Sequence, residues 1–290
     1  MGGMTSNQKL RNVVRMNNIL DFIARETNSK NYKSYKYCIE NVMVPRLQYD
    51  DKQDIIIKKI GETDKGLKCS KSLQEYARRL QGDSLFKYFL DGSRRTYKVD
   101  DIAFNNKIYP VIAGQIGVGI CNRIDKDTFK AFQLFNPLAI SLPSVLNSGG
   151  NNDILFFNQL LEKVNSLDVL KKQKLKFERI LPYRYNASKD DDKYEDRGIA
   201  RIQDEMIKLE KLAVKDLVRL KKLNKNSFLI KDGSLEYEWD KTDIKNLSSI
   251  KSNYASVVGV SKAFNPESLS SYNKRISQII ADLKEKNDNT

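Results

Sequence analysis

At 290 residues, 40% apolar and 30% charged, the chain can bury one substantial core. Lysine and arginine outnumber aspartate and glutamate 51 to 37, a net charge of +14, which favours a polyanionic partner through counterion release. Histidine is absent, so Ser-His-Asp and Cys-His nucleophile systems, HExxH zinc sites and zinc deaminase sites are excluded.

A metal in such a chain would be held mainly by oxygen, which points to Mg²⁺ or Mn²⁺. Cys38, Cys69 and Cys121 form no CxxC pair and suit a reducing, cytoplasmic setting, where they are expected as small buried hydrophobes. No apolar run approaches the roughly 20 residues that span a bilayer, and the N-terminus has no hydrophobic segment for export.

Residues 1–84 read as a basic helical region. The run QKLRNVVRMNNILDFIARET spaces Leu10, Val13, Val14, Ile19, Leu20 and Ile23 at helical intervals. Tyr32, Tyr35 and Tyr37 then alternate with Lys30, Lys33 and Lys36, expected as an amphipathic helix with snorkelling lysines. From Leu85 the period changes to two. LFKYFLDGS, RRTYKVDDIAFNN and KIYPVIAGQIGVGICNRI predict three successive strands, the first stopping at a turn formed by Asp91, Gly92 and Ser93. Asp100 and Asp101 are expected as surface turn residues. The glycines of GQIGVG do not match a phosphate loop and are expected to let the sheet bend or a ligand backbone approach.

Residues 125–195 read as an insertion, with one helix from Phe156 and a solvated acidic run, KDDDKYED, from Lys189. RGIARIQDEMIKLEKLAVKDLVRLKKLN, residues 197–224, carries the clearest apolar stripe in the chain. A second strand then runs into Asp-Gly-Ser at Asp232. A last strand, YASVVGVSKAF, ends at Ser261 and Lys262, and a polar helix over 266–290 closes the sequence. Three strands, a long helix, a strand, a link and a strand is the order of an RNase H-like core, an α/β fold with a mixed sheet flanked by helices. In that arrangement opposed carboxylates gather at strand ends and hold divalent ions.

These residues resemble a known family. Asp-Gly-Ser at Asp91, the helix carrying Glu210, KDGSLEY around Asp232 and VVGVSK ending at Lys262 are similar, in the same chain order, to the NurA nucleases over roughly residues 85–265. The resemblance implies a dimeric, Mn²⁺-dependent DNA exo- and endonuclease working with a HerA-like hexameric ATPase, in DNA end processing or anti-phage defence. It implies metal ligation by Asp91, Asp232 and a helix glutamate, Glu210 or alternatively Glu205, with Lys262 contacting phosphate. The chain departs from the family in lacking histidine and in ending 28 residues after Lys262, where family members run on; a truncated, divergent or inactive member is therefore an expectation too. A non-catalytic DNA-binding or assembly subunit with a vestigial site is the alternative reading.

Overall fold

The computed structural model describes residues 16–32, 37–38, 84–150, 152–184, 193–233 and 254–260. Within them lies one mixed sheet of nine strands, in the order β7-β6-β4-β3-β8-β9, with β1 and β2 added on β3 and β5 on β4. The strands are β1 (Lys30–Tyr32), β2 (Tyr37–Cys38), β3 (Phe86–Phe104), β4 (Lys107–Arg123), β5 (Phe129–Phe135), β6 (Leu138–Pro143), β7 (Phe177–Tyr183), β8 (Phe228–Asp232) and β9 (Val257–Val260). The helices are α1 (Met16–Glu26), α2 (Asp153–Asn165), α3 (Asp168–Lys172) and α4 (Tyr194–Arg219). The fold is α/β, a mixed sheet flanked by helices. No helix among the described residues is long and apolar enough to cross a membrane.

The axis of the sheet is the antiparallel hairpin of β3 and β4, closed by Asn105 and Asn106 at φ 48° and 60°. Asparagine tolerates the left-handed region that a two-residue hairpin turn requires. The two strands are long enough to serve different neighbours along their length. Residues 86–90 of β3 pair in parallel with β8, and residues 97–103 pair antiparallel with β2 and β1. β4 likewise gives residues 112–115 to β6 and 118–123 to β5. β8 pairs in parallel with β9, and β6 in parallel with β7.

Each face of the sheet has its own core. On one, Tyr88, Leu90, Ile112, Ile116, Val118 and Ile120 pack on Ile199, Ile202, Ala213 and Leu217 of α4. On the other, Ile102, Val111, Ile140 and Leu142 pack on α1 and α2 through Ile19, Ile23, Phe157 and Leu160. A bulge between Lys98 and Asp100 inserts one residue into β3 and reverses its parity. Even-numbered residues before the bulge face α4. After it, Asp100 pairs with Val111 and Ile102 joins the core on the other side.

Several expectations change. The first two predicted strands are one 19-residue strand. Asp100 and Asp101 are buried inside it rather than exposed at a turn, and Lys98 Nζ lies 3.1 Å from Asp101 Oδ2. The described part of residues 1–84 includes α1, but Lys30–Tyr32 and Tyr37–Cys38 are strands; tyrosines alternating with polar residues suit a pleated strand as well as a helix face. Residues 125–195 are no excursion, since they supply β5, β6 and β7 to the sheet and α2 and α3 to its flank. The acidic run contributes Glu195 and Asp196 to the first turn of α4, where carboxylates complement the helix dipole. The helix expected over 266–290 lies outside the described residues.

Candidate functional site

Asp91 does not stand at a turn. The ladder with β4 runs unbroken through it, pairing Asp91 with Gly119, Gly92 with Val118 and Ser93 with Gly117. Gly92 interrupts no strand; it makes room for a helix side chain. A Cβ there would overlap Oε1 of Glu210 and stand 3.1 Å from its Cδ. Gly92 therefore faces α4, as do Leu90 in the α4 core and Arg94, whose Nη2 donates to Gln203 Oε1 at 3.2 Å. Burial on that side lowers the Arg94 pKa. By alternation, Phe89, Asp91 and Ser93 point away from α4.

Asp232 does end its strand. Gly233 follows at φ 90°, and its N–H donates to Val260 O at 2.8 Å, a turn in which glycine avoids the Cβ penalty. Leu229 lies in the α4 core and Lys231 reaches Glu210, so Ile230 and Asp232 face the other way. Leu90 is paired with Lys231 in the parallel ladder. Asp91 and Asp232 are thus the next residues along two neighbouring strands, on the same face.

Both line one open cleft of about 550 Å³, walled by Phe89, Leu134, Ile230 and Val260 and floored by Gly117 and Gly119. Because these glycines are the cross-strand partners of Ser93 and Asp91, no side chain fills the sheet beside the two polar residues. Gly114, the first glycine of GQIGVG, faces α4, where its missing Cβ admits Ile202. Ser93 and the two floor glycines were within motifs read from the sequence but were not assigned to a site. Strand parity, counted from Leu90 and Ile116, was the signal that could have placed them there. Cys121, expected buried, is exposed on the cleft wall, because the face it belongs to is uncovered by the described residues.

Glu210 is not brought to the cleft. It is buried on the α4 face, with Oε2 2.9 Å from Lys231 Nζ; Lys231 Nζ also donates to Asp232 O at 3.2 Å. The sheet stands between this carboxylate and the side chain of Asp91. Glu205 is also buried on α4, with Oε1 3.2 Å from Arg179 Nε and Oε2 3.7 Å from Lys208 Nζ. Lys262 lies outside the described residues. Among the described residues, no three His, Cys, Asp or Glu side chains converge to hold one metal ion. The cleft's two carboxylates do fit a hard divalent cation of the Mg²⁺ type, which keeps several waters and takes one or two carboxylates plus substrate phosphates.

Comparison with protein-family profiles, with curated proteins and with solved structures returns no match.

Proposed function

We propose that this chain is a divalent-metal-dependent deoxyribonuclease of NurA type, built on an RNase H-like core. One observation carries the reading: Asp91 and Asp232, remote in sequence, share one open cleft on adjacent parallel strands. The topology supports it. A central strand with an antiparallel neighbour on one side, and two parallel strands added on the other after a long helix, is the pattern an RNase H-like core requires. The net charge of +14 supports a polyanionic substrate.

Asp91 and Asp232 would hold the Mn²⁺ or Mg²⁺. Such an ion, when bound, makes water a stronger nucleophile and stabilises the leaving oxygen of a phosphodiester. The strands fix where the two carboxylates sit, and the bare floor at Gly117 and Gly119 lets a nucleic-acid backbone approach Asp91 closely. Ser93, beside them on the same face, offers a hydroxyl to orient a phosphate oxygen or water. The sequence carries no GxxxxGK[ST], so strand translocation would be driven by a separate HerA-like hexameric ATPase, with the nuclease acting as a homodimer.

Asp91→Ala should abolish Mn²⁺-dependent cleavage while leaving DNA binding intact; cleavage at the wild-type rate would sink the assignment. A second reading, a non-catalytic DNA-binding subunit with a vestigial site, draws on one observation. Glu210 is engaged by Lys231, leaving two carboxylates in the cleft where the family resemblance implies three. Calorimetric titration of the wild type with Mn²⁺ separates the readings, because binding abolished by Asp232→Ala eliminates the second.

A further inference from the structure

One end of the sheet face that bears the cleft carries a cation that forms no ion pair among the described residues. Arg123 closes β4 on the same parity as Gly119 and Cys121, and so on the Asp91 face. Its Cζ lies 5.1 Å from the ring centre of Phe89 and 5.0 Å from that of Phe129. The two rings meet edge to face at 5.5 Å. Arg123 Nε is buried with no hydrogen-bond partner among the described residues. Lys231, on the other face, is the contrast, since a buried carboxylate neutralises it.

Two adjoining rings against a guanidinium compensate part of its lost hydration. They do not neutralise its charge. Phe129 remains 47% exposed, so ring surface is still open to a ligand. Arg123 is four residues along β4 from Gly119, the cross-strand partner of Asp91, a separation of roughly 13 Å. An arginine and an exposed aromatic ring at that distance from a carboxylate pair suit a flexible polyanion that carries flat apolar groups. A nucleic-acid strand has both properties. Bases in a duplex already stack on one another and hide their faces, so the ring selects an unpaired strand.

We infer that the sheet face beside the cleft, next to its Phe89 wall, holds one nucleotide of a single DNA strand, with Phe129 stacking the base and Arg123 gripping the adjacent phosphate. The inference names the substrate form for the cleft assigned above, and rests on that assignment only for what happens at Asp91.

The test uses the full chain in EDTA, with a fluorescent oligodeoxythymidylate and a duplex of equal length as probes and anisotropy as the readout. Arg123→Gln should weaken single-strand binding about tenfold and lower the slope of log affinity against log salt by about 0.7. Phe129→Ala should weaken it at least about fivefold, leaving that slope and duplex binding unchanged. Phe129→Leu, which keeps apolar bulk and removes the flat ring, should show the same loss, and this variant decides the matter if Phe129→Ala fails to fold. Single-strand affinity within twofold of wild type in folded Arg123→Gln and Phe129→Ala, or equal losses on single strand and duplex, overturns the inference. Chelation keeps the outcome independent of cleavage. Retained cleavage by Asp91→Ala would remove the assignment of the cleavage site to the Asp91 cleft and leave strand binding standing, and unchanged anisotropy would do the reverse.

Discussion

Replacing Glu210 by alanine strips Lys231 of the carboxylate 2.9 Å from its ammonium. At an effective dielectric constant near 20, that pair attracts by about 6 kcal/mol before desolvation is counted. Desolvation of both ions offsets much of this, and removing one partner of a fully buried pair costs about 3–5 kcal/mol. The Lys231 side chain is 17% exposed, so its ammonium can swing part of the way to water. The lower end, about 3 kcal/mol, is expected. Urea unfolding should show it as a reduced midpoint with unchanged slope.

The double variant Glu210→Ala/Lys231→Met removes both charges and should recover more than half of the loss. It should also keep Mn²⁺-dependent cleavage, because Glu210 is on the opposite side of the sheet from Asp91 and Asp232. A single-variant loss below about 0.5 kcal/mol, or a folded double variant as inactive as Asp91→Ala, refutes the assignment of Glu210 to the structure rather than to the site.

The glycines give two opposite tests. Gly92→Ala forces a Cβ onto the Glu210 carboxylate and should destabilise by about 2 kcal/mol, an effect that largely vanishes in a Glu210→Ala background when the four proteins are compared by urea unfolding. Gly119→Val projects into the cleft, where a Cβ meets nothing closer than Leu134 Cδ1 at 3.8 Å. Its stability should stay within about 1 kcal/mol of wild type, while Mn²⁺ affinity by calorimetry and cleavage both fall. Asp153 sets an acid limb. The Asn147 side chain donates to it, burial opposes, Arg184 adds to the pull, and the net effect holds its carboxyl below the ordinary 3.8. Its contribution is present above the unfolded value of about 3.9 and is lost as pH falls through the lower folded value. Asp153→Asn should therefore be less stable than wild type at pH 6 and approach it toward pH 3, measured by urea midpoints.

The long amphipathic helix and strand β4 were legible in the sequence because each rests on periodicity, whereas of the two strand ends expected at Asp91 and Asp232 only the second exists, and Asp91 reaches the cleft from inside β3. Where reading failed, a tertiary contact had overridden a local preference. Asp-Gly-Ser inside a strand runs against β propensity, and the Glu210 carboxylate against Gly92 explains why glycine stands at that point of a continuing ladder. The strands of residues 125–195 gave little pattern: β5 is partly or fully exposed along its length, and β7 follows directly on a basic run that continues the helical spacing before it. GQIGVG lies wholly within strand β4. Its division of labour, Gly114 for Ile202 and the other two for the cleft floor, depends on which face each residue takes.

Parity also separates the helix carboxylate from the strand carboxylates, and the sequence held the means to see it. Glu210 lies three residues before Ala213 and seven before Leu217, within the stripe that α4 buries against the sheet. A side chain in that stripe meets the β3 residues that share a face with Leu90, and Asp91, one residue on, points the other way. The same count pairs Glu210 with Lys231 and excludes it from Asp232. Further oxygens for an ion in the cleft must therefore approach on the face opposite α4. For a Mg²⁺-type ion held by two carboxylates, water and the phosphate oxygens of the substrate meet that requirement. A site completed in this way should gain affinity for Mn²⁺ when a non-cleavable phosphorothioate oligonucleotide is present. Calorimetry that finds Mn²⁺ affinity unchanged by the oligonucleotide would place the missing ligands on the protein instead.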